Sequence, residues 1–151
     1  MSRNVRRFAC TPDDVFAALA DGWLYPTWVV GASRMREVDE HWPQPGGRLH
    51  HSFGVWPALI NDTTLSLEWN PPHQMVMRAR GWPLGEAQVT IDVRAIGDEH
   101  CMVRIQEQAV RGPTRLLPRF VRDLLLHARN AETITRLAFV AEGRRANGEA
   151  S

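Results

Sequence analysis

Glu107 alternates with Val103, Ile105 and Ala109, so in a strand its carboxylate shares their apolar face. A carboxylate in such a place must be paired, protonated or hydrated, because burying it alone is costly. It can then act as a general base or anchor a ligand hydroxyl. The plain alternative is a salt bridge to one of the many arginines, or a strand-end position near water. His50 and His51 are adjacent, so a strand points them to opposite faces and they cannot chelate one ion together. By parity with Leu49 and Phe53, His51 is the inward one, either a proton donor and acceptor at a site or a hydrogen-bonded core residue. Glu107 and His51 are the catalytic candidates.

Other reactive groups are excluded or left without support. All 18 basic residues are Arg, which removes Schiff-base chemistry, a PLP anchor and a lysine-bearing phosphate loop. There is no GxSxG elbow, CxxC, Cys/His quartet or HExxH, so no metal or other cofactor is expected. Cys10 and Cys101 lie far apart in the chain and read as reduced thiols. They become neighbours if the first and last strands pair antiparallel.

A second group of residues suits binding rather than reaction. Six Trp against one Tyr supply large flat rings. Trp28, Trp56, Trp69 and Trp82 can wall a pocket and orient a polar end through the indole N–H. Trp56 and Trp82 also sit near turns, where they can form a lid or a protein interface. Met75 and Met77 suit a wall that adapts to its guest. Phe53, Leu67, Ile91 and Ile105 are the inward members of their strands, and Leu124 lies on the apolar stripe of the last helix.

The elements that position these residues follow from pattern and punctuation. Asn4 to Cys10 reads as a first strand. Thr11-Pro12-Asp13-Asp14 starts a helix, with Thr11 as N-cap, Pro12 at the first position and two acids where the helix dipole favours them. Asp21-Gly22 ends it, and a second short helix or turn, interrupted at Pro26, runs from Trp23 to Val30. Strands follow at 33–38, 48–53, 63–69, 74–81, 87–94 and 101–109, separated by Pro, Gly, Asn and Asp. In 63–69 the alternation places Thr63, Leu65, Leu67 and Trp69 on the inner face. From Pro113 or Pro118 to about Ala141 the spacing is helical, with Leu117, Val121, Leu124, Ala128, Ala131, Ile134 and Ala138 in one stripe. Arg129 and Arg136 read as solvated or ion-paired, and Arg78 and Arg80 as facing out. The reading is one domain over 1–142 and a flexible tail over 143–151.

The chain has 151 residues, 44% hydrophobic and 23% charged, with a net charge of +1, which suits a soluble globular domain without bulk attraction to nucleic acid or anionic lipid. No apolar run reaches the length of a membrane span, and the protein is expected in the cytoplasm as a monomer or homodimer. Its strand-rich middle needs a cover, and the last helix is the only long element available.

The chain resembles the START/Bet v 1-like (SRPBCC) superfamily, in its bacterial polyketide cyclase/dehydrase-like branch. The resemblance rests on Thr11-Pro12-Asp13-Asp14-Val15-Phe16, the Trp28 segment, and Pro45-Gly46-Gly47 before a strand. It rests also on Leu67-Glu68-Trp69-Asn70-Pro71-Pro72, and on Arg129-Asn130-Ala131-Glu132-Thr133 with Leu137 in the last helix. It implies an α+β helix-grip fold, a curved antiparallel sheet of about seven strands around a long C-terminal helix. The cavity between them is expected to take a hydrophobic or aromatic small molecule, lipid- or polyketide-like. The alternatives are a cyclase or dehydrase using the cavity Glu and His, and a protein-interaction module using the Trp-rich surface.

Overall fold

The computed structural model describes residues 2–29, 32–53, 60–81, 85–111 and 118–150. The chain runs β1 (Ser2–Phe8), α1 (Pro12–Ala20), a 3-10 turn (Gly22–Leu24), α2 (Tyr25–Trp28), then six more strands and a final helix. The strands are β2 (Ala32–Val38), β3 (Arg48–Phe53), β4 (Ile60–Asn70), β5 (Gln74–Gly81), β6 (Gly85–Ile96) and β7 (His100–Arg111). They form one antiparallel sheet in the order β1-β7-β6-β5-β4-β3-β2. The last helix, α3, spans Arg119–Ala150.

Local chemistry sets the helix starts. The Thr11 side chain accepts from the Asp14 amide while the Asp14 carboxylate accepts from the Thr11 amide at 2.9 Å, a reciprocal cap of α1. Pro26 does not interrupt the next helix as expected; it sits in the first turn of α2, where its missing N–H costs no helical bond. At the far end α3 continues beyond Ala141 to Ala150, through the stretch expected as a flexible tail over 143–151 and in spite of Gly143 and Gly148.

The core lies between the sheet and the helices. Val15, Phe16, Ala18 and Leu19 of α1 are buried, and Phe16 meets Trp69 edge-on with ring centroids 5.2 Å apart. Phe8, Met75, Ile91, Val103 and Ile105 fill the sheet side. Helix α3 packs mainly on β1, α1 and α2, and less on β7. Bonds that fasten it to the β1 end include Asn4 Nδ2 to the His127 carbonyl at 3.3 Å, Arg6 Nη1 to Thr135 Oγ1 at 3.0 Å, and the Ala9 amide to Glu142 Oε1 at 2.9 Å.

Two inward assignments need correction. On β4, Ser66 pairs with Met77 and Glu68 with Val76, so Leu67 is the extra residue of a bulge. Before the bulge Asp62, Thr64 and Ser66 are the buried residues, while Leu65 and Leu67 are half-buried and outside the core cluster. The bulge shifts the phase, and Trp69 returns to the inner face as the alternation predicts. On α3 the buried stripe among the described side chains is Asn130, Thr133, Ile134, Leu137, Ala138 and Ala141, whereas Ala128 is exposed. Polar residues hold two of the inward positions, and the apolar pattern fades there.

Candidate functional site

Helix α3 and the sheet do not seal against each other near β7. Tyr25, Trp28 and Val29 wall one side of a cleft, and Met77, Ala79, Val89 and Ile105 wall the sheet side. Glu107 of β7 and Arg129, Asn130 and Thr133 of α3 supply its polar surface. The cleft measures about 20 Å³, room for about one water molecule. It is therefore far narrower than the hollow expected from the sequence.

Glu107 is 2% exposed and accepts from Arg129 Nη1 at 2.9 Å. The inward parity of Glu107 and its pairing to an arginine both follow the sequence reading. Arg129 reaches the carboxylate from solvent, its own side chain one-third exposed. The pair thus places opposite charges side by side at the cleft wall, with Asn130 and Thr133 beside them and the apolar Met77, Val89 and Ile105 on the sheet side.

Behind the cleft stands a second polar group. His51 is fully buried and lies 2.8 Å through Nε2 from Thr64 Oγ1, which is also 2.8 Å from the Tyr25 hydroxyl. The Tyr25 and His51 rings stack at 5.2 Å. Burial lowers the His51 pKa to about 4, a shift reinforced by Arg36 and His50 and opposed by Asp62. Burial likewise raises Tyr25 to about 12, against the Thr64 bond and the Arg129 charge. His51 is inward as expected, but Tyr25 stands between it and the cleft.

Of the other binding candidates, Trp28, Met77 and Ile105 line the cleft. Met75 and Ile91 are fully buried in the core, Trp69 packs on Phe16, and Leu67 occupies the bulge. Trp56 and Trp82 lie outside the described residues, as do the side chains of Phe53 and Leu124. Tyr25, Asn130 and Thr133 join the lining without being among the residues expected there from the sequence. Stepping back from Leu137 and Ala141 at helical spacing reaches 133 and 130, the signal that finds the last two.

Cys10 and Cys101 come together because Phe8 pairs with Cys101 across β1 and β7. Both thiols are fully buried, and the hydrogen bond between them, then burial, raises the pKa of Cys10. They lie outside the cleft lining.

A seven-stranded antiparallel sheet held against one long C-terminal helix, with two short helices after β1 and a cleft beneath α3, defines a helix-grip protein. The chain belongs to the family described as polyketide cyclase / dehydrase and lipid transport, which matches residues 2–141. Similar solved structures include a conserved protein from Geobacillus kaustophilus, 13% identical, with a TM-score of 0.71 over 93% of this chain and 94% of that one. A START superfamily protein from Mycobacterium smegmatis is 13% identical, with a TM-score of 0.64 over 94% of each chain. The di-domain ARO/CYC StfQ of the steffimycin biosynthetic pathway is 12% identical, with a TM-score of 0.67, and the match takes in 95% of this chain but 51% of that one. At these identities the likeness establishes the fold. No curated protein is significantly similar to the chain. No helix among the described residues is long and apolar enough to cross a membrane.

Proposed function

We propose that this protein binds a small, largely hydrophobic molecule in the cleft between α3 and the sheet. The observation that carries the reading is the Glu107–Arg129 pair set into the wall of that cleft, facing the apolar Trp28, Met77 and Ile105. A buried ion pair adds little to stability compared with apolar packing of equal volume, so its position calls for another use. Trp28, Met77 and Ile105 supply the apolar contact, at about 25 cal/mol for each Å² of ligand surface removed from water. A guest larger than water needs the side chains at the cleft to move aside. Met77 is unbranched and flexible enough to do so.

The test is a thermal-shift panel of lipids and aromatic compounds, followed by methyl NMR on each hit. Binding in the cleft shifts the Met77 and Ile105 methyl signals, and Met77→Trp, which fills the space, abolishes it. Hits that leave both methyls unmoved sink the proposal.

A second reading, a cyclase- or dehydrase-type enzyme, draws on the same carboxylate. Glu107 faces the cleft and can take a proton from a bound carbonyl compound once the guest loosens its bond to Arg129. Turnover that disappears in Glu107→Gln while binding persists favours the enzyme. Binding without turnover leaves the first reading.

A further inference from the structure

Asn130 sits on the first polar step of the inward stripe of α3, 3% exposed and in the lining of the cleft. Its Nδ2 is buried and has no hydrogen-bond acceptor in reach among the described residues. A buried N–H donor left this way costs free energy, which the fold recovers when something in the cleft accepts from it. The charges beside it narrow the choice. Glu107 and Arg129 already neutralise each other at 2.9 Å, so among the described residues the cleft lining offers no unbalanced charge to an ionic guest. A carboxylate placed there stands against Glu107, and an ammonium stands against Arg129; each also loses its hydration on entry. A neutral oxygen keeps the pair intact and satisfies the amide.

We propose that Asn130 is a specificity-determining residue that selects ligands by a neutral carbonyl or hydroxyl oxygen at their polar end, against carboxylates and amines of the same chain length. This rests on the reading of the cleft as a binding site. It adds the polarity of the guest and the direction in which it lies, with the oxygen toward α3 and the apolar chain along Met77 and Ile105.

Isothermal titration with three eleven-carbon probes tests it: 2-undecanone, undecanoate and undecylammonium at pH 7.5. The wild-type protein should take the ketone about tenfold more tightly than either ion. Asn130→Leu should weaken the ketone about fivefold, the size of one net hydrogen bond, and leave the ions within about twofold. Glu107→Gln leaves Arg129 unneutralised and should move the preference toward undecanoate. Ions that bind as well as the ketone to wild type, or an Asn130→Leu that weakens all three alike, overturn the role of Asn130 while the cleft remains a binding site. Failure of all three probes to bind overturns the cleft reading and this inference together. The wild-type ranking needs no variant, so a poorly folded Asn130→Leu does not remove the test.

Discussion

Arg129 Nη1 of α3 donates to Glu107 Oε1 of β7 at 2.9 Å, and this bond spans the gap between helix and sheet. It has unequal ends. Glu107 is 2% exposed and Arg129 is 33% exposed, so the carboxylate depends on the arginine far more than the reverse. Arg129→Met strands a buried carboxylate and is expected to cost about 2–4 kcal/mol, toward the lower end for buried pairs because the arginine is partly solvated. The double change Glu107→Leu with Arg129→Met should cost less than Arg129→Met alone. Urea unfolding at pH 7 measures both, and a double variant no more stable than the single one refutes this account.

His51 gives the protein an acid-sensitive interior. Its pKa in the folded protein is lowered to about 4 from an ordinary 6.5, so the unfolded chain takes up a proton at a pH where the folded one does not. The stability this contributes is present in full above pH 6.5 and is lost as the pH falls toward 4. Between pH 7 and 4, wild type should lose roughly 2–3 kcal/mol more than His51→Phe, which keeps the ring stack on Tyr25 without the titrating group. Urea midpoints of the two proteins across that range supply the comparison, and parallel curves contradict a neutral buried histidine.

Gly22 closes the turn between α1 and α2 against β2 and β3. A Cβ built there falls 2.5 Å from Leu49 Cδ2 and 2.9 Å from Val38 Cγ1, well inside contact distance. Leu49 is 1% exposed and has little room to yield. Gly22→Ala is expected to lower stability by about 1–3 kcal/mol through overpacking. A thermal melt detects this, and an unchanged Tm shows that the turn relaxes freely.

Much of the architecture could be read along the chain because it rests on local rules. The Thr11 cap, the β6 and β7 alternation and the long final helix each repeat one signal over several residues, and the inward parity of His51 and Glu107 came with them. Where the local signal is broken, the structure departs from the pattern. One extra residue at Leu67 reverses the phase of β4, and nothing in Thr63-Thr64-Leu65-Ser66 marks it, because both faces there carry partly apolar side chains. Similarly, alanines at 128 and 131 mimic an apolar stripe that the fold places on Asn130 and Thr133 instead.

The order of residues alone thus determined the sequence of strands and helices, though not where α3 ends, and which carboxylate is turned inward, since each depends on neighbours a few positions away. Tertiary packing decided the rest. Arg129 meets Glu107 across 22 residues, and Tyr25 meets Thr64 across 39. Asn130 is left facing the narrow space between α3 and the sheet, its Nδ2 without an acceptor among the described residues. These relationships come from the crossing of a helix over a twisted sheet, a geometry set by many distant contacts at once.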